Sequence, residues 1–166
     1  MQLLVVRHGI AEDRETWAPR DDGLRPLTED GKKKMKEAAK GLHSLVPKVD
    51  ALASSPLTRA MQTAAILAKV YDKSEPVKVD ALAPGQHPST LAVWLRTQAA
   101  RKVVAVVGHE PSLGTIISWL TAGIEQSFIE LGKGGACLLN LGERIDAAEA
   151  MLEWVLRPSH LRSVAR

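Results

Sequence analysis

The sequence predicts an α/β three-layer sandwich: a mostly parallel central sheet with an antiparallel edge strand, and helices on both faces. Three observations predict it. Strand-like and helix-like segments alternate along most of the chain, the pattern of parallel strands joined by crossover helices. The strand-like runs Leu3-Leu4-Val5-Val6 and Val103-Val104-Ala105-Val106-Val107 carry no polar alternation, so both of their faces are to be buried. Two strand-like runs close the chain across a short turn, as antiparallel neighbours do.

Residues 2–6, QLLVV, are the first strand. Between Thr28 and Val46 the apolar positions Met35, Ala38, Ala39, Leu42 and Leu45 recur at steps of three and four, the spacing of one helix face. Thr28 is the expected N-cap, Glu29 and Asp30 suit the first turn, and Pro47 ends the helix. Residues 49–53 read as a second buried strand. Ser54-Ser55-Pro56 then signals a helix start, with serine as cap and proline at the first helical position; this helix runs to about residue 71. A short strand is expected over 77–79 and a helix over 88–99. The clearest strand is 102–107, KVVAVV, after which Gly108-His109-Glu110-Pro111 opens a helix to about residue 121. The glycine-rich stretch 132–135 precedes a strand at 136–141, and a last strand follows at 151–156. Residues 157–166 hold three arginines and no acid and are expected to be a partly mobile basic tail.

Length and composition bound the function. A chain of 166 residues with 45% hydrophobic residues is read as one domain spanning 1–166, with neither disorder nor collagen-like character. The single cysteine, Cys137, cannot pair within the chain and fits a reducing compartment. The apolar run at the N-terminus is too short for a signal sequence and no run reaches a membrane span, so a cytoplasmic protein without a membrane partner is expected. The net charge of +3 is weakly basic. Lys32, Lys33, Lys34 and Lys36 alternate with apolar positions at helical spacing and lack interleaved aromatics, so they read as a solvated helix face and no nucleic-acid partner is expected.

The chemistry concentrates where three strands end. QLLVV runs into Arg7-His8-Gly9, the second strand into Ser54-Ser55 and then Arg59, and KVVAVV into Gly108-His109. In an open α/β sheet ligands bind beyond the carboxyl ends of the strands. Gly9 lets backbone approach a ligand. Arg59, in the first helical turn, can reach back toward an anion held at the helix start. Taken singly, each group has an ordinary structural reading: a histidine capping a junction, an arginine exposed on a helix. Together, two arginines and two histidines with no partnering carboxylate cluster suggest a phosphate site. Two histidines with no third ligand nearby make a poor metal site. Gly132-Lys133-Gly134-Gly135 lacks the spacing of a phosphate-binding loop, and Cys137 lacks that of a cysteine phosphatase loop. By elimination, the nucleophile is expected to be a histidine.

These residues resemble a known family. Leu3-Leu4-Val5-Val6-Arg7-His8-Gly9 is similar to the signature of the histidine phosphatase (phosphoglycerate mutase-like) superfamily. Ser55-Pro56-Leu57-Thr58-Arg59-Ala60-Met61-Gln62-Thr63-Ala64 resembles its second motif, and Val107-Gly108-His109-Glu110-Pro111 its third. Leu24-Arg25-Pro26-Leu27-Thr28-Glu29-Asp30-Gly31 is similar to the phosphohistidine phosphatase SixA type. The resemblance implies that His8 is a nucleophile that becomes phosphorylated. It implies that Arg7, Arg59 and His109 bind the phosphoryl oxygens, and that Arg25 faces the same pocket. It implies a metal-independent phosphatase without cofactor. The expected substrate is a phosphohistidine-bearing protein, such as a histidine phosphotransfer domain or a phosphocarrier.

One departure bears on substrate. Many members of the family supply a carboxylate acid between the second and third motifs, but Ala81-Leu82-Ala83-Pro84-Gly85-Gln86-His87 offers none after Leu82, and Asp80 lies before it. An alkoxide leaving group needs protonation, whereas the P–N bond of phosphohistidine is labile and needs less help. Glu12, Asp13, Glu110 and His87 are the other candidate donors. A small-molecule phosphomonoesterase or mutase of the same superfamily stays open as an alternative, and more distantly a non-catalytic phosphate-binding module. His8 is expected to attack as neutral imidazole with its other nitrogen on a backbone carbonyl, and His109, if protonated, to donate to the phosphoryl group. The absence of metal-ligand spacing generates a direct prediction. Turnover persists in EDTA; its loss on chelation and return with a divalent ion would reassign the histidines to a metal.

Overall fold

Strand β1, Gln2–Arg7, organises the sheet. Leu3, Leu4, Val5 and Val6 are fully buried; Leu3 and Val5 enter one hydrophobic core, Leu4 and Val6 the other, because successive side chains leave opposite faces of a strand. A computed structural model describes residues 1–73 and 75–165. After β1 come α1 (Glu29–Leu45), β2 (Ala51–Ser54), α2 (Thr58–Val70), β3 (Val77–Lys78), α3 (Pro88–Arg96), β4 (Val103–Gly108), α4 (Ser112–Ala122), β5 (Ala136–Leu141), β6 (Ala150–Leu156) and α5 (Pro158–Val164).

The six strands lie in the order β3-β2-β4-β1-β5-β6. The first four are parallel, and β5 and β6 add antiparallel pairings at one edge, as the sequence predicts. One face of the sheet carries α1, α2 and α5, through Met35, Leu42, Ala60, Ala64, Leu67 and Leu161. The other carries α3 and α4, through Leu91, Leu95, Leu113, Ile117 and Leu120. Alanines at 60, 64 and 68 give α2 a flat face that lies close to the strands. Thr28 caps α1, its Oγ1 accepting from the Gly31 N–H at 2.9 Å.

Two expectations are corrected. Helix α2 begins at Thr58, with Leu57 at the N-cap and no side-chain cap. Neither Ser55 nor Pro56 lies within it: the Ser55 hydroxyl accepts from the Leu57 N–H at 3.3 Å ahead of the first turn and is also bound to His109. The segment expected as a mobile tail instead forms α5 as far as Val164, with Pro158 in its first turn. Leu161 is fully buried beside α1, where Gly41 leaves room for the Leu161 backbone. Arg166 lies outside the described residues.

A Cβ on Gly41 would collide with the Leu161 carbonyl, so Gly41→Ala forces α5 off α1. Denaturant unfolding is expected to lose about 1–3 kcal/mol, and limited proteolysis to clip the C-terminal segment first. Unchanged stability and protection would show that α5 does not depend on this contact.

Candidate active site

The sheet register places three strand ends side by side. Arg7 at the end of β1 pairs with Gly108 at the end of β4, and Ser54 at the end of β2 pairs with Val107 of β4. Arg7-His8, Ser54-Ser55 and His109 therefore leave the sheet at one edge. Arg59, one residue into α2, comes back to meet them.

His8 is 6% exposed. Its Nδ1 donates to its neighbour's carbonyl, Gly9 O, at 2.7 Å. This fixes the tautomer and leaves Nε2 as an acceptor, which takes the Arg59 Nε–H at 3.3 Å. The Gly9 N–H donates to Thr63 Oγ1 at 3.0 Å, and the Thr63 hydroxyl donates to the Arg59 carbonyl at 2.8 Å. Gly9 does not offer its backbone to a ligand, as the sequence suggests. Both its polar atoms hold protein groups, and the place of its missing Cβ faces Leu27, Met35 and Gly31 at ordinary contact distance. Gly9 holds His8 in position instead.

His109 is 3% exposed, its ring centroid 5.1 Å from that of His8. Its Nε2 lies 2.8 Å from Ser55 Oγ, and its Nδ1 is buried without a partner. Burial, reinforced by the charges of Arg59, Arg7 and Arg25, lowers His8 to about 4 against the opposing pull of the Gly9 carbonyl. Burial, His8 and Arg59 lower His109 to about 3. Both rings are neutral at pH 7. The condition attached to a donor role for His109, a proton on its ring, therefore needs a counter-charge, which a dianion beside it would supply.

The arginines come from three directions. Arg7 Nη1 donates to the Leu131 carbonyl at 2.5 Å and stands 3.7 Å from the exposed Glu130, while its Nε is buried and unpartnered. Arg25 is buried; its Nη1 donates to the Glu12 carbonyl at 2.6 Å and its Nε to Asp22 Oδ1 at 2.9 Å. Arg59 is 2% exposed and reaches Asp22 twice, Nη1 to the carbonyl at 2.8 Å and Nη2 to Oδ2 at 3.0 Å. The structure thus gathers Arg7, His8, Arg25, Arg59 and His109 into one site.

Sequence reasoning missed Asp22, and with it the statement that no carboxylate partners these cations. Asp22 opens a single 3₁₀ turn, Asp22–Leu24. Burial works to raise its carboxyl, but the Arg25 hydrogen bond and the charges of Arg59, Arg25 and Arg14 outweigh it and hold the group below the ordinary carboxylate range. The only signal in the sequence was an aspartate three residues before Arg25. Ser55, Thr63 and Leu131 were missed as well.

Most of the candidate proton donors are otherwise employed; the half-buried Glu12 has no side-chain hydrogen bond or ion pair among the described residues, and its backbone carbonyl accepts from Arg25. Asp13 Oδ1 accepts from the Glu15 and Thr16 N–H groups. His87 caps α3 and meets Glu125. Glu110 accepts from the Leu131 N–H at 2.9 Å and the Gly114 N–H at 3.1 Å; burial raises its carboxyl against those two bonds. Asp80 is exposed at the start of another 3₁₀ turn. Among the described residues, no group of three His, Cys, Asp or Glu side chains could hold a metal ion, and no helix is long and apolar enough to cross a membrane.

The fold and the site define a class: a parallel-sheet protein with a neutral histidine among arginines at the strand ends. Comparison with known proteins agrees. The family model for the histidine phosphatase superfamily (branch 1) matches residues 3–83. An uncharacterised protein of Picosynechococcus sp. is 37% identical over 144 residues, 86% of each chain. The solved structure of the protein histidine phosphatase SixA complexed with tungstate superposes with a TM-score of 0.84 at 22% identity, covering 97% of this chain and 99% of the other. The alpha-ribazole phosphatase from Shigella flexneri superposes at 0.76 and 15% identity, with 95% and 97% covered. The chain belongs to the histidine phosphatase superfamily, and that membership supports a hydrolase.

The two buried imidazoles also set how stability depends on pH. An unfolded chain takes up protons on both as pH falls through 6.5, while the folded protein refuses them until about 4 and about 3. Stability is therefore complete above about pH 6.5 and is lost as pH falls toward 4; the raised Glu110 carboxyl pulls the other way in part of this window. Denaturant titrations from pH 7 to 5 are expected to show the loss, and His109→Gln to flatten it. An equal slope in the variant would mean that His109 titrates normally.

Proposed function

We propose that the chain is a metal-independent phosphohistidine phosphatase. In this reading it acts in the cytoplasm, and His8 takes the phosphoryl group from phosphohistidine in a protein substrate. The observation that carries the reading is the state of His8: buried, neutral, its Nδ1 tied to Gly9 O, its Nε2 free of a proton beside Arg59. That is a nucleophile aimed by its second nitrogen.

In the first step His8 Nε2 forms a bond to phosphorus. The substrate P–N bond breaks and its electron pair returns to the substrate ring, which carries a proton on its other nitrogen and so leaves as neutral imidazole. In the second step water attacks phosphorus, His8 leaves as neutral imidazole, and orthophosphate is released. The charge on the transferring group is met by Arg7, Arg59 and Arg25 and by the unpartnered Nδ1 of His109. Fixed donors in a water-poor site are usually the largest catalytic term, and the guanidinium fork suits two phosphoryl oxygens.

The leaving group favours phosphohistidine over an ester. Asp22 is held ionised by its arginines, Asp13 and His87 serve as caps, and both oxygens of Glu110 accept from backbone N–H groups. Imidazole leaves without a dedicated acid; an alkoxide does not. The likeness to SixA in fold, and Arg25 in the site, support the same reading. A histidine phosphotransfer domain or a phosphocarrier is the class of partner that fits. A small-molecule phosphomonoesterase is the second reading, favoured by the raised Glu110 carboxyl and the shared fold of the ribazole phosphatase.

Rapid quench with labelled substrate is expected to trap an acid-labile, base-stable adduct that His8→Ala abolishes. Arg59→Ala should lower the rate about 10²–10³-fold, and Arg59→Lys less. The parent's kcat/KM should favour a phosphohistidine peptide over a serine phosphate and a sugar phosphate at neutral pH. Equal or better efficiency on either ester would establish the second reading, and single mutation of Glu12, Asp13, Asp80, His87 and Glu110 would then identify the acid. Full label incorporation and turnover in His8→Ala would overturn both readings.

A further inference from the structure

Arg59 is already occupied by an anion that belongs to the chain. Its Nη2 donates to Asp22 Oδ2 at 3.0 Å, its Nη1 to the Asp22 carbonyl at 2.8 Å, and its Nε to His8 at 3.3 Å. The other carboxylate oxygen, Oδ1, takes Arg25 Nε at 2.9 Å and Arg14 Nε at 3.2 Å. One carboxylate thus answers three guanidinium groups, two of them buried in the site. The Arg59 fork thus holds one carboxylate oxygen and the backbone oxygen of Asp22 where it could hold two oxygens of a phosphoryl group.

Asp22 is also placed to yield. Its side chain is 40% exposed, and no residue of its 3₁₀ turn is buried. The turn is held by the Asp21 carboxylate accepting from the Gly23 N–H at 2.9 Å. Moving the Asp22 carboxylate off Arg59 breaks no core contact. Arg59 itself is anchored in α2 and cannot follow.

We propose that Asp22 is a specificity-determining counter-charge: an internal anion that the incoming phosphoryl group must displace from Arg59 and Arg25. The inference rests on the reading of this site as a phosphoryl site. Its consequence is discrimination by attachment. A phosphoryl group delivered by a protein brings that protein's own contacts to the exchange with Asp22. Free orthophosphate brings only its charge and is held weakly, so the product does not block the site.

The test is calorimetric titration of tungstate and of orthophosphate into the parent protein, Asp22→Asn, Asp22→Ala and Asp22→Glu, at one pH and two salt concentrations. Removal of the charge is expected to tighten both anions about five- to tenfold in Asn and Ala alike, which separates loss of charge from gain of an amide donor. Glu, which restores the charge, should return toward the parent value. The gain should shrink at high salt. Binding in Asn and Ala that is unchanged or weaker would overturn the proposal and leave Asp22 as a brace for its arginines. Tightening in Glu as well would overturn it, because shape and not charge would then be the cause. Thermal melts run beside the titrations; unfolding of the Asn variant would assign Asp22 to stability and also overturn it. If the parent and every variant bind neither anion, the phosphoryl site itself fails and this role falls with it.

Discussion

The 2.7 Å hydrogen bond from His8 Nδ1 to the Gly9 carbonyl decides what the site can do. An imidazole has two nitrogens, and only the one without a proton can attack. By committing Nδ1 to a backbone carbonyl, the chain leaves Nε2 without a proton, as the proposed reaction requires. Much of the nearby structure serves that bond. Gly9 is fixed by Thr63, and Thr63 is fixed by Arg59, so the segment that carries His8 and the helix that carries Arg59 are tied into one unit. The Gly134 N–H, at a positive φ of 81°, donates to the His8 carbonyl from behind at 3.0 Å, a geometry that glycine adopts without strain.

Charge is arranged around this unit in two shells. Close to His8, burial and arginines keep both imidazoles neutral, which keeps the His8 Nε2 free of a proton but leaves guanidinium charge uncompensated in a poorly hydrated place. Asp22 supplies compensation from the rim, and Glu130 stands farther off from Arg7. Cations gathered this closely repel one another unless an anion is present. Here the anion is Asp22, and in the proposed reaction it is the phosphoryl group.

Local features of this arrangement were legible in the sequence, and long-range ones were not. The apolar runs at 2–6 and 102–107 announce buried strands by composition alone, and each is followed at once by Arg7-His8 or His109. Their convergence depends on the strand order β2-β4-β1, a matter of hydrogen bonds between segments about 50 and 100 residues apart, which no local pattern encodes. Ser55 was read as the cap of α2 because a serine before a proline normally is one; its hydroxyl accepts from the Leu57 N–H just outside the helix and also meets His109, 54 residues later. Asp22 was passed over because its partner Arg59 is 37 residues away. The C-terminal segment looks like a basic tail until Leu161 is seen to meet Gly41. Gly9 was assigned to a ligand because a glycine beside a reactive residue has two readings, and only packing against α1 chooses between them.

The most direct test of the account is the protonation state of His8 itself. Long-range ¹H–¹⁵N correlation spectra of protein labelled with ¹⁵N-histidine, with His8 assigned by comparison with His8→Asn, report which nitrogen carries the proton. The account predicts the Nδ1–H tautomer for His8 at pH 7, with an unprotonated Nε2, persisting as the pH is lowered to about 5. An Nε2–H tautomer, or an imidazolium pattern already present near pH 6.5, would contradict it.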